Sequence, residues 1–187
     1  MLSGSAWAEV GSVNAGEELC LACGMCCDGT LFDNVRLGAD EDAAAVKALG
    51  LPVRFSRAKV PVAFFRQPCR ALGADCTCSV YANRPAQCRS FECGVFKAAE
   101  SGDIGYESAH RLVKQARKRA ERARKLLRKM GERDEGLSLG ARFRRVQRWV
   151  ESGEVDAAAG ETFAALGLAM HQLDLLAHRK FYTEEEV

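Results

Sequence analysis

The chain has 187 residues, nine of them cysteine; 48% are apolar, 28% are charged, and the formal net charge is +2. That length supplies one domain, or one domain with an appendage, and a core large enough not to need disulfide staples. No apolar run approaches a membrane span, and the first twenty residues carry neither a basic n-region nor a long apolar stretch. No secretory leader is therefore expected, and the expected compartment is a reducing, cytoplasmic one. Structural disulfides are rare there, and an odd cysteine count pairs poorly. The composition points to thiolate chemistry on metal, with four disulfides in an exported domain as the competing reading.

In chain order, residues 1–16 read as an N-terminal extension, 17–104 as a cysteine-rich module and 105–187 as a helical region. The module opens with Cys20, Cys23, Cys26 and Cys27. A short helix is predicted from Ala39 to Leu49, with Asp40, Glu41 and Asp42 at its start and Gly50 as its stop. Val53, Phe55, Val60, Val62 and Phe64 then alternate within two short runs. Pro61, inside the second run, predicts an edge strand or irregular extended chain rather than a central strand. These apolar side chains are expected to fill a core beside the cysteines. Cys69, Cys76, Cys78, Cys88 and Cys93 follow, and the last 94 residues contain no cysteine.

The polar stretch Glu100-Ser101-Gly102-Asp103 marks a soft boundary. Charge changes across it. Residues 1–104 hold 10 Lys and Arg against 12 Asp and Glu, a net −2, and residues 105–187 hold 17 against 13, a net +4. Beyond it, Leu112, Val113, Ala116, Ala120, Ala123, Leu126, Leu127 and Met130 recur at steps of three and four, predicting a helix from His110 to a C-cap near Gly131. A second helix is predicted from Leu139 to Val150, with Phe143, Val146, Trp149 and Val150 on one side. A third runs from Glu161 to Phe181 on a stripe of Phe163, Leu166, Met170, Leu173 and Leu176. The expected fold is mostly α with irregular segments: a cysteine-rich metal-binding module packed on a C-terminal antiparallel helical bundle.

The segment Cys20-Leu-Ala-Cys23-Gly-Met-Cys26-Cys27 carries the chemistry. A C-x-x-C step lets two sulfurs converge on one centre, and here it is taken twice in succession, as in cysteine runs that grip an iron–sulfur cluster. Gly24 eases the turn between them. Consecutive side chains diverge, by about 100° on a helix and about 180° on a strand. Cys26 and Cys27 therefore serve different sites, or one of them stands behind the ligands. His110, His171 and His178 all lie in the helical half and are expected to be surface or core residues, which leaves an all-sulfur donor set.

The pattern Cys20-x2-Cys23-x2-Cys26-Cys27, followed by Cys78-Ser-Val-Tyr81-Ala-Asn-Arg84-Pro85-Ala-Gln-Cys88-Arg89-Ser-Phe91-Glu-Cys93, resembles the YkgJ-like CxxCxxCC family of zinc- or iron-chelating domains. The resemblance covers residues 17–98 and not the helical half. It implies eight metal ligands: Cys20, Cys23, Cys26, Cys27, Cys69, Cys78, Cys88 and Cys93. Cys76 departs from the pattern, either as a spare thiol or as a replacement for Cys69 or Cys78. Within the signature, Arg84 and Arg89 either offset the charge of anionic thiolates or hold the local turn through backbone carbonyls. Tyr81 and Phe91 are expected to exclude water from the sulfurs.

Eight thiols suit two four-ligand sites, or one site with unligated neighbours. Structural zinc sites use two well-separated C-x2-C knuckles; the later cysteines here form no second knuckle, which favours an iron–sulfur centre with a redox, electron-transfer or sensing role. Such a role implies a protein redox partner. The alternative is a structural zinc protein whose basic helix contacts nucleic acid or a protein. Residues 110–133 carry 11 Lys and Arg against Glu121 and Glu132, a net +9, although no aromatic residues interleave with them. A solvated helix face, with Glu121 pairing Lys125 at i+4, is the plainer reading of that stripe. No glycine-rich cofactor loop follows a strand and no nucleophile–base pair stands out, so no methyltransferase is expected and no reaction is assigned.

Overall fold

A computed structural model describes residues 15–153 and 156–183. The extension expected over residues 1–16 lies outside the described residues, except for Ala15 and Gly16 at the start of the first helix.

The protein is mostly helical with a small sheet. In order, the described residues form α1 (Ala15–Cys23), β1 (Asn34–Arg36), α2 (Ala43–Ala48), β2 (Arg54–Phe55), β3 (Ala63–Arg66), a 3-10 turn (Tyr81–Asn83), α3 (Ala86–Ser90), α4 (Gly94–Glu100), α5 (Tyr106–Lys129), α6 (Leu139–Glu151) and α7 (Ala157–Lys180). None of these helices is long and apolar enough to cross a membrane.

The long helices follow the periodicity of their sequences. On α5, Ala109, Val113, Ala116, Ala120, Ala123 and Leu127 are buried, and four of the six are alanine, so a neighbouring helix can approach closely. α5 packs most extensively on α7, whose buried stripe includes Leu166, Met170 and Leu173. At the end of α5, Gly131 adopts φ +82° while its N–H donates to Arg128 O and that of Glu132 to Leu127 O, a Schellman closure that removes two orphan carbonyls. Two expectations for the helical half need correction. Trp149 on α6 is 39% exposed, and the buried face of that helix is Leu139, Arg142 and Val146. The guanidinium of Arg142 reaches Glu132 O, so an arginine occupies a place that a hydrophobicity pattern assigns outward. Glu121 pairs with Arg128 at i+7 (2.7 Å), not with Lys125.

The sheet has the order β1-β3-β2 with both pairings antiparallel, Val35 facing Phe65 and Arg54 facing Phe64. β3 is thus the central strand, contrary to the expectation of an edge. Pro61 lies two residues before it and removes no ladder donor. Because side chains alternate with period two, the inward residue is Phe65, fully buried, while Phe55 and Val60 are 62% and 76% exposed.

Two apolar cores result. One gathers Leu19, Cys23, Met25 and Leu31 with Val95 and the inner faces of α5, α6 and α7. The other gathers Val35, Leu37, Val46, Leu51, Phe65 and Ala71 around the sheet and α2. Cys23 belongs to the first core with Cys26 and Cys93 packed against it, and Cys69, Cys78 and Cys88 pack against the second.

Candidate metal centre

α1 places Cys20 and Cys23 one turn apart in its last turns. Gly24 stops the helix with φ +65°, its N–H donating to Cys20 O at 3.1 Å. A methyl there would stand 3.0 Å from Cys76 Sγ, so both the turn and the close approach call for glycine. The chain then folds back, with the N–H groups of Cys27 and Asp28 donating to Gly24 O. Met25, fully buried, anchors that turn in the first core. The Cys26-Cys27 step is gripped from the end of β3: Gln67 Nε2 donates to Cys26 O (3.2 Å) and Cys69 N to Cys27 O (2.7 Å).

After Cys69 the chain makes a tight loop. Gly73 N donates to Thr77 O, Ser79 N to Ala71 O, and Leu72 and Cys78 form a bridge. Cys76 sits at the loop's tip with φ +64°, an uncommon conformation for a side-chain-bearing residue. Asp75 Oδ1 accepts from both the N–H and the hydroxyl of Thr77, which holds its carboxyl below the usual range. Cys88 rides on α3, which is tied to the sheet side by Gln87, whose Oε1 accepts from Arg36 N (2.7 Å). Glu41 adds a second tie, accepting from Gly38 N and Ala86 N (both 2.7 Å). Cys93 is the N-cap of α4, its Sγ accepting from Phe96 N at 3.4 Å. Gly94 beside it donates to Phe181 O, and a methyl there would lie 2.8 Å from Lys180 O, so α4 touches the end of α7 backbone to backbone.

These elements turn all nine cysteines, none of them in a disulfide, towards one cavity of about 160 Å³. Eight of them sort into two sets by electrostatic proximity. Burial pushes the Cys23 thiol up to about 12, with Cys93 and Cys20 raising it further. Burial likewise raises Cys26 well above the ordinary thiol range, with Cys23, Cys93, the adjacent Cys27 and Cys20 adding to it in that order. On the other side, burial pushes Cys27 up to about 12, with Cys69, Cys88 and Cys78 adding to it. Cys88 is pushed up to about 11 and Cys69 is raised, again by burial first and by neighbouring thiols of that set. The first set is Cys20, Cys23, Cys26 and Cys93; the second is Cys27, Cys69, Cys78 and Cys88. Among the described residues, no group of three or more His, Cys, Asp or Glu side chains converges as a ready-made ion site. The sets are neighbourhoods of sulfur around a shared cavity, and a bound centre would have to draw each set together.

Cations stand at the edge of the sulfurs, Arg84 beside Cys88 and Arg117 beside Cys76. Arg84 lowers Cys88, and also stacks on Tyr81 (3.8 Å to the ring centre) while its Nε donates to Tyr81 O. Arg89 donates to Arg84 O. Arg89 thus holds the local turn, and Arg84 does that while also facing a thiol. Tyr81, expected to shield the sulfurs, is 51% exposed, whereas Phe91 packs edge-on against Phe32. Arg117 on α5 was not legible as part of the site. Its Nη1 donates to Ala22 O (2.7 Å) and Cys23 O (3.2 Å) and lies 3.5 Å from Cys76 Sγ. Arg124 binds Asp28 (3.0 Å) and Thr30 in the turn after the first cysteines. Both arginines belong to a run of eleven basic residues, and nothing in that run separates the inward-reaching ones from the solvated ones. The three histidines stay apart from the cysteines: His110 lies against Tyr106 and His178 against Tyr182.

Residues 19–121 match a protein-family model, CxxCxxCC, described as a putative zinc- or iron-chelating domain. No curated protein and no solved structure matches the chain.

Proposed function

The chain belongs to the CxxCxxCC family, and from that premise we propose that it binds metal through two four-thiol sites, Cys20/Cys23/Cys26/Cys93 and Cys27/Cys69/Cys78/Cys88. The observation that carries this reading is packing: Cys23, Cys26 and Cys93 belong with the first core, Cys69, Cys78 and Cys88 pack against the second, and all nine cysteines line the cavity between them. The donor chemistry fits: each set is all sulfur, which suits zinc and iron–sulfur alike. The overlapping C-x-x-C steps, and the cations of Arg84 and Arg117 at the edge of the sulfurs, favour iron–sulfur in a redox, electron-transfer or sensing role. When bound, such a centre supplies one-electron chemistry. The protein's part is to hold the sulfurs, to offset thiolate charge with the two guanidiniums, and to keep water out with Leu19, Leu51, Phe65 and Phe181 around the cavity. In this reading residues 17–104 are the metal-binding module, and the helical half is its brace, an antiparallel bundle that reaches the cysteine turns through Arg117 and Arg124.

The test is iron, zinc and acid-labile sulfide analysis of anaerobically purified protein, with its visible spectrum. Iron and sulfide with a broad band at roughly 400 nm are expected. A colourless protein with stoichiometric zinc would replace iron–sulfur with a structural zinc role, and protein without metal would remove the proposal. A nucleic-acid role for the basic helix is the weaker companion reading, because Arg117, Arg119, Arg124 and Arg128 already bind groups within the chain.

A further inference from the structure

On the far side of β3 from the cysteines lies a cleft of about 400 Å³ between the sheet and α6. Its volume falls within the range of small-molecule sites, about 300–1,000 Å³. Four guanidiniums border it: Arg66 from β3 and Arg144, Arg145 and Arg148 from α6. Asp33 is the one carboxylate among the residues that border it, and it is already engaged by Arg144 and by the hydroxyl of Ser138. Arg145 is directed to Glu132 (3.1 Å) and Asp134 (3.3 Å). Arg66 and Arg148 have no ion-pair partner among the described residues.

This arrangement is unfavourable by itself. Asp33 offsets Arg144, and Glu132 and Asp134 offset Arg145, which leaves the charges of Arg148, one turn after Arg144, and of Arg66 across the cleft without a counter-ion among the described residues. An anion lying between them supplies that counter-ion, and the planar fork of arginine matches carboxylate and phosphoryl oxygens two at a time. The concave shape decides between ligand sizes. A nucleic-acid backbone needs cations strung along a surface, whereas cations from two different elements around a cleft of this volume suit a compact ligand. We propose that the cleft between β3 and α6 binds a small polyanion bearing phosphoryl or carboxylate groups, with Arg66 and Arg148 as its principal anchors. The site is separate from the cysteine cavity, although Asn34 and Gln67 border both. The proposal does not depend on which metal the cysteines hold.

Isothermal titration of the full chain with pyrophosphate and, separately, citrate tests it. Binding of one equivalent of either probe, weakening as salt is raised, is expected; the preferred probe distinguishes phosphoryl from carboxylate ligands. Arg66→Gln and Arg148→Gln should each weaken binding about tenfold, Arg148→Lys by less, and Arg111→Gln on the outer face of α5 not at all. Both anchoring arginines are exposed, so the variants should keep the parent's circular dichroism and melting temperature. No binding of either probe, or unchanged affinity in both glutamine variants, would overturn the proposal. So would an oligonucleotide that displaces pyrophosphate, binds much more tightly than it and is weakened by the same two variants, since the cations would then serve an extended phosphate backbone.

Discussion

Arg117 links the long basic helix to the cysteine turn. The last carbonyls of α1, at Ala22 and Cys23, lose their helical partners where Gly24 breaks the helix, and one guanidinium nitrogen serves both. A cation at a helix C-terminus is also favoured by the peptide dipoles, and the same group lies beside the Cys76 sulfur. Arg117→Gln is predicted to cost roughly 1 kcal/mol in denaturant unfolding, since the side chain is exposed and each bond is partly replaced by water. Arg117→Lys should recover part of that loss. An unchanged midpoint in the glutamine variant would mean that the contact does not brace the turn.

Among the elements, β3 couples the sheet to the second cysteine set. Phe65 is fully buried in the core against which Cys69, Cys78 and Cys88 pack, and the strand's end presents Gln67 and Cys69 to the Cys26-Cys27 step. Phe65→Ala should cost about 3–5 kcal/mol by cavity formation. It should also release metal from the second set before the first, read as partial metal loss in a mild chelator challenge. The sequence made α5, α6 and α7 legible, because a 3.6-residue period persists through each. It did not make β3 legible, because a four-residue strand offers only two inward positions and Pro61 drew attention one turn too early. Backbone geometry alone suggested that Cys26 and Cys27 serve different sites, and the proposed division keeps that reading. The assignment of the later cysteines was not legible. In the proposed division Cys93 joins Cys20, Cys23 and Cys26 while Cys69, Cys78 and Cys88 do not, and this rests on where α4 docks between α1 and the end of α7.

Across the whole molecule, the cysteine cavity sits between two cores, and every thiol with a resolved shift is raised by burial. A thiol ligates as thiolate, so protons compete with metal at any pH below the thiol's own titration. With Cys23 and Cys27 held at about 12 and Cys88 at about 11, that competition spans the neutral range. Apparent zinc affinity, measured against a chromophoric chelator, should therefore rise steadily from about pH 6 to about pH 9, with proton release on loading. A flat profile would mean that the thiols are already ionised.

The central claim is that eight cysteines form two sets of four, and metal content per chain in single variants tests it most directly. Cys23→Ser should remove the metal of the first set and leave that of the second, and Cys88→Ser should do the converse, each retaining about half of the parent's content. The double variant should retain none, and Cys76→Ser should retain all of it. Loss of the whole content in both single variants, full retention in both, or a Cys76→Ser loss equal to theirs would contradict the division into two sets.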